Sequence, residues 1–167
     1  MSATSEGRHL VIGVGNPDRG DDAIGLVVAR LVRQTRPSGV TVIEESGDGI
    51  TLMELWRNAG IVIVIDAAQC DTEPGTIYRF DARLTPLPAQ SFHCSTHAFD
   101  LAQAVELSRT LNQLPNRLIV YGIVGKQFEL GTALDPSVDA AARQVARRVL
   151  QDLRDAWGIQ VIGEIPK

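Results

Sequence analysis

Apolar runs alternate with amphipathic segments along most of this chain. The clearest run is IVIVI at residues 61–65, where every position is apolar and β-branched. Runs of this kind are typical of strands that are buried on both faces of a mostly parallel sheet. Four strands are predicted in this way, at residues 10–14, 40–43, 61–65 and 118–124, and a turn at Pro74 and Gly75 predicts a fifth at residues 76–80.

The segments between the runs follow a helical period. One face of the first predicted helix carries the apolar residues Ile24, Val27, Val28, Leu31 and Val32, so this helix should pack on the sheet. Thr51 and Glu54 have the spacing of a capping box, which predicts that a second helix begins at Thr51. Leu101, Ala104, Val105 and Leu111 mark a third helix.

The last predicted helix has the clearest boundaries. Asp135 followed by Pro136 is typical of an N-cap and the first helical position, and Gly158 is placed to end the helix. The alternation of strands and helices predicts a single α/β domain over residues 1–167, with helices on both faces of the sheet. The strand at 76–80 follows a Pro-Gly turn, so we expect it to return antiparallel to the third strand.

Composition and charge disfavour several classes of function. The 167 residues are 44% hydrophobic, which suits one domain with a substantial core. The net charge is −4 and the basic residues form no block, which disfavours nucleic-acid binding. The chain shows neither a signal peptide nor an apolar run of about 18 residues, so we expect a cytoplasmic protein that does not bind membranes. Cys70 and Cys94 are expected to be free thiols.

The turn after the first strand, GVGNPDRGDD, is rich in both glycine and acid. Gly13 and Gly15 fit a dinucleotide fingerprint and are expected to let the backbone turn sharply, but Asp18 occupies the place of its third glycine. A phosphate-binding loop would need lysine where Asp21 stands. An acid at that position would repel phosphate, so the composition of the turn argues against a phosphate site.

Acidic side chains in this turn and after the third strand define a candidate site. Asp21 is interpreted as the N-cap of the first helix, which leaves Asp22 to point toward the top of the sheet. Asp66 follows the IVIVI strand, although a cap of the next turn is an alternative role. Functional clefts of open α/β sheets lie beyond the carboxyl ends of the strands. If the first and third strands are neighbours, Asp22 and Asp66 emerge at the same edge.

His97 could complete this site. It follows the longest irregular stretch, at residues 81–97, and is interpreted as opening the third helix with Ser95 or Thr96 as the N-cap. The positive end of a helix favours a neutral imidazole, which can bind a metal. Two carboxylates and one imidazole would make an open site that suits nickel, zinc or copper.

Three blocks of the sequence resemble the signature motifs of the hydrogenase maturation endopeptidases. They are GVGNPDRGDDAIG, IVIDA and STHAFDLAQAVEL, and the segments ESGDGITLMEL and LDPSVDAA agree in order and spacing. The resemblance implies a twisted mixed sheet of the phosphorylase/hydrolase type, flanked by helices. It also implies an endopeptidase that removes the C-terminal extension of a [NiFe] hydrogenase large-subunit precursor once nickel has been inserted.

The resemblance assigns roles to individual residues. Asp22, Asp66 and His97 would contact nickel that the precursor presents, with Asp22 or Asp66 also available as general base. Asp48 and Gly49 would lie in a loop that binds substrate, although a plain turn is an alternative for Asp48. Asp100 stands where the family often has glycine. We expect a monomer, and two other functions stay open: a non-catalytic nickel-binding chaperone and a small-molecule hydrolase.

Overall fold

A five-stranded mixed sheet forms the centre of the computed structural model, which describes residues 7–92 and 99–167. The strands lie in the order β2-β1-β3-β5-β4. Their bounds are β1 (His9–Val14), β2 (Val40–Glu45), β3 (Ile61–Ala68), β4 (Ile77–Asp81) and β5 (Arg117–Val124). The five strands expected from the sequence are thus confirmed, with small shifts at their ends.

Helices connect these strands. Their bounds are α1 (Ile24–Gln34), α2 (Gly49–Trp56), α3 (Leu101–Thr110) and α4 (Pro136–Gln151). Single turns of 3-10 helix lie at Gly20–Ala23 and Ala89–Phe92, and a π-helical turn at Asp152–Ala156 extends α4. No helix in the described part of the chain is long and apolar enough to cross a membrane.

The pairing of β4 differs from the expectation. β1 pairs in parallel with both β2 and β3, and β3 pairs in parallel with β5 along all of its eight residues. β4 is antiparallel, as predicted, but its partner is β5 rather than β3. Because β1 and β5 occupy both edges of β3, β4 cannot pair with β3 and instead adds to the outer edge of β5.

The helices cover both faces of the sheet, as predicted. α1 and α4 pack on one face, where Val28 and Val145 belong to the same core cluster as Ile63. α2 and α3 pack on the other face, where Leu52 and Val105 belong to the same core cluster as Val62 and Val64 of β3. Alternate side chains of a strand point to opposite faces, and the odd-numbered and even-numbered residues of β3 are both buried. This explains why its sequence is continuously apolar.

Glycines hold α1 against the ends of the strands. A Cβ at Gly25 would overlap the carbonyl oxygens of Val14 and Ile65, and one at Gly15 would overlap the carbonyl oxygen of Asp22. Neither Gly13 nor Gly15 has a positive φ, so no left-handed backbone conformation requires glycine at either position. These residues are glycine because the backbones of α1, the preceding turn and the strands approach too closely for a side chain.

Two predicted helix starts are also wrong. α2 begins at Gly49, and its N-cap is Asp48, whose Oδ2 accepts hydrogen bonds from the backbone N–H (3.0 Å) and hydroxyl (2.7 Å) of Thr51. α3 begins at Leu101 with Asp100 as N-cap, in a capping box with Gln103, instead of at Ser95 or Thr96. The predicted start of α4, with Asp135 as N-cap and Pro136 in the first turn, is confirmed.

Candidate active site

Asp22 and Asp66 lie at the carboxyl edge of the sheet. Asp22 belongs to the 3-10 turn between β1 and α1, and Asp66 lies near the end of β3. β3 continues to Ala68, so Asp66 lies within the strand and not after it as expected. Because β1 and β3 are parallel neighbours, both acids reach the same edge. Both are buried, with exposed fractions of 4% for Asp22 and 3% for Asp66.

Burial raises the pKa of both carboxyl groups, and the charge of Asp22 also acts on Asp66. Burial raises the pKa of the Asp66 carboxyl well above its usual range, and the negative charges of Asp22 and then Asp100 raise it further, against the backbone N–H of Ala67. Burial also raises the pKa of Asp22, partly offset by the guanidinium of Arg19, 3.6 Å from Oδ2. A site of this kind gains stability from a bound cation or a shared proton.

Asp100 is an additional acid of this cluster. Val62, Val64 and Ala68 face the core that contains α2 and α3, so the alternation of β3 directs Asp66 to that face, where Asp100 begins α3. Asp100 is 3% exposed and accepts a hydrogen bond from the backbone N–H of Gln103. Its place in the sequence, three residues before a glutamine and directly before an apolar helical run, is a capping signal that could have identified it.

Asp21 has a different role from the predicted one. Its carboxylate does not cap α1, which has no side-chain cap. It accepts hydrogen bonds from the backbone N–H groups of Lys126 (2.7 Å), Gln127 (2.9 Å) and Asp135 (2.8 Å). The backbone N–H of Asp21 also donates to the carbonyl oxygen of Gln127. Asp21 therefore attaches the turn that carries Asp22 to the loop between β5 and α4.

Asp48 and Gly49 have evident structural roles. Asp48 caps α2, while the backbone N–H of Gly49 donates to the carbonyl oxygen of Phe99 at 2.9 Å. A Cβ at Gly49 would overlap the ring of Phe99. The start of α2 is thus held against the chain that leads into Asp100 and α3. A role for either residue in binding substrate stays a prediction.

His97 and Cys94 lie outside the described residues. Within residues 7–92 and 99–167, no group of three or more histidine, cysteine, aspartate or glutamate side chains is arranged to hold a metal ion. This part of the chain contains two of the three predicted ligands, Asp22 and Asp66. Cys70 is a partly exposed free thiol, as expected.

Comparison with known proteins links this fold to a class of endopeptidase. The hydrogenase 2 maturation protease of Escherichia coli is 28% identical over 93% of this chain and 95% of its own length. The hydrogenase expression/formation protein HupD of Rhodobacter capsulatus is 25% identical over 96% of this chain and 78% of its own. The structure of the E. coli hydrogenase-maturating endopeptidase HybD matches with a TM-score of 0.75 and 27% identity, over 93% of this chain and 96% of that one.

Residues 26–152 match the model of a single family, described as hydrogenase maturation protease. The chain belongs to the hydrogenase maturation protease family. The family match begins after Asp22 and includes Asp66. The E. coli relative and the E. coli structure each match 93% of this chain, which is more than the family model matches. The sequence resemblance and the predicted fold class are both confirmed.

Proposed function

We propose that this protein is an endopeptidase that removes the C-terminal extension of a [NiFe] hydrogenase large-subunit precursor after nickel insertion. Membership of the maturation protease family supports the reaction class. The observation that carries the proposal is the buried pair of Asp22 and Asp66, close enough that the charge of one raises the pKa of the other. In a chain of this family, such a pair at the carboxyl edge is the natural place for substrate chemistry.

Nickel carried by the precursor fits this pair. Asp22 and Asp66 are both buried, and the guanidinium of Arg19 lies 3.6 Å from Oδ2 of Asp22, so the pair favours an added positive charge. Oxygen ligands together with an imidazole are compatible with nickel. Asp22, Asp66 and His97 would hold the metal, so that only a loaded precursor is retained in the cleft. When bound, nickel would supply Lewis-acid polarisation of a carbonyl group or of a water molecule.

The carboxylates would move the protons. Hydrolysis of a peptide bond requires that a water oxygen attack the carbonyl carbon while its proton passes to a base, and that the leaving nitrogen then gain a proton. A carboxylate with a raised pKa accepts a proton more readily than an ordinary one and can then donate it, and burial raises the pKa of both Asp22 and Asp66. Arg19 would keep Asp22 oriented toward the edge.

Mass spectrometry of the precursor's C-terminal peptide tests the proposal. We expect the nickel-loaded precursor to be cleaved and the nickel-free form to be left intact. Equal cleavage of both forms would refute selection by nickel, and cleavage of neither would refute the endopeptidase. Stoichiometric binding of the loaded precursor without cleavage would indicate the non-catalytic chaperone. Asp18→Asn is a matched control for Asp22→Asn, because Asp18 is an exposed acid of the same turn. The monomeric state and the cytoplasmic location stay predictions.

A further inference from the structure

A small apolar cavity lies at Ala68, two residues after Asp66 on β3. It has a volume of about 190 Å³, and its walls include Ala68, Cys70, Tyr78, Phe80, Ser91 and Phe92. Phe80 stacks with Tyr78 at 6.2 Å between ring centroids and meets the edge of Phe92 at 5.9 Å. Among the described residues, no carboxylate, ammonium or guanidinium group lines the cavity. Its three packed rings make a wall that suits an apolar group.

The cavity opens on the same face of the sheet as the Asp66 carboxylate. Ala68 follows Asp66 by two positions on β3, so the two side chains point the same way and their Cα atoms are roughly 6 to 7 Å apart. Tyr78 and Phe80 approach from β4, opposite Gly122 and Val120 of β5. Neighbouring residues of a bound peptide have Cα atoms about 3.8 Å apart. A peptide bond held at Asp66 therefore places a flanking side chain within reach of the cavity.

We propose that this cavity is the subsite for one apolar side chain next to the scissile bond of the precursor. The proposal rests on the proposed function, because it needs a peptide held at Asp66. A dry cavity of about 150 Å³ accepts benzene, so this volume admits a branched aliphatic chain or a single ring. An acidic side chain would be excluded, since burying its charge in an apolar subsite without a partner is costly.

Substitutions of Cys70 can change the volume of the cavity in both directions. Cys70 is partly exposed, and its thiol contacts the hydroxyl of Thr72 at 3.2 Å, so it lies at the rim of the cavity. Cys70→Phe should fill the space and Cys70→Ala should enlarge it. Leu84→Phe is a suitable control, because Leu84 is 80% exposed in the turn after β4, toward the opposite edge of the sheet.

The test uses nickel-loaded precursors that differ only at one of the two residues flanking the scissile bond. With wild-type protein and the control, we expect kcat/KM to be about tenfold higher for leucine than for alanine at one of these positions. Cys70→Phe should abolish this preference, and Cys70→Ala should keep it and improve cleavage with phenylalanine there. Circular dichroism and thermal melting would establish that each variant is folded.

Two results would overturn the subsite: no preference at either flank in the wild type, or an unchanged preference in folded Cys70→Phe. If the wild-type protein cleaves no precursor, the proposed function fails, but the subsite can still be tested. Calorimetry with synthetic peptides of the precursor's C-terminal sequence would then have to show tighter binding of the leucine form, lost in Cys70→Phe. Equal affinities would overturn the subsite as well.

Discussion

Replacing Asp21 by alanine tests the claim that this residue attaches the Asp22 turn to the loop between β5 and α4. The substitution removes a carboxylate that is fully buried and accepts three backbone hydrogen bonds of 2.7 to 2.9 Å. The donors belong to Lys126, Gln127 and Asp135, which lie more than 100 residues further along the chain. The helix-cap interpretation, by contrast, predicts a purely local effect.

The size of the effect follows from these contacts. A hydrogen bond to a charged acceptor contributes about 1.5 to 3 kcal/mol. The three bonds share one carboxylate and its burial opposes them, so we expect Asp21→Ala to lower the free energy of unfolding by about 3 to 5 kcal/mol. Loss of a simple helix cap would cost about 1 kcal/mol. Asp21→Asn can keep two acceptor contacts through one oxygen and should lose less than Asp21→Ala.

Urea unfolding at pH 7 measures these differences, provided that the slope with denaturant is unchanged. Asp18→Ala is the control: Asp18 is exposed, and its substitution should change stability by less than about 0.5 kcal/mol. Asp21→Ala should also reduce precursor cleavage under conditions where the variant is fully folded, because the position of Asp22 is no longer fixed. A loss near 1 kcal/mol with normal cleavage would refute the reasoning and restore the role of a cap.

Three further predictions concern Asp66, Asp48 and His97. The raised pKa of Asp66 means that its contribution to stability is present below the unfolded pKa near 3.8 and is lost as the pH rises through the folded pKa. In metal-free protein, Asp66→Asn should therefore be more stable than wild type at pH 7, with a difference that shrinks toward pH 4; urea unfolding that shows a constant difference would contradict this. Asp48→Ala should cost about 1 kcal/mol through loss of the α2 cap, measured by the same method, and Asp48→Asn should recover most of it. His97→Ala should abolish precursor cleavage while the circular dichroism spectrum stays unchanged, and full activity would exclude His97 from the site.

Local sequence signals predicted the strands and helices well, because apolar periodicity and caps are short-range properties. The buried strand at residues 61–65 and the Asp135–Pro136 start of α4 are examples. The partner of β4 was mispredicted because strand pairing depends on which edges remain open after the whole sheet has formed. The contacts of Asp21 could not be predicted either, since no local pattern identifies backbone donors more than 100 residues away.

The candidate site was predicted in part. The parallel neighbours β1 and β3 bring Asp22 and Asp66 to one edge, as the positions of these acids after apolar runs suggested. The role of Asp100 as N-cap was not predicted because the hydroxyls of Ser95 and Thr96 offer a competing capping signal, although the Asp100–Gln103 spacing is that of a capping box. The apolar cavity could not have been predicted, because its walls come from β3, β4 and the 3-10 turn at Ala89–Phe92, which meet only in the folded protein.

The close contact of Gly25 with Val14 and Ile65 has a consequence for how the protein selects its substrate. Main-chain atoms of α1, β1 and β3 touch directly, with no side chain between them that could change rotamer. The spacing between the turn that carries Asp22 and the strand that carries Asp66 is therefore set when the chain folds. Under the proposed function, little conformational entropy of these two segments would be lost when a precursor binds, so selection among precursors would depend on the charge and shape of each precursor.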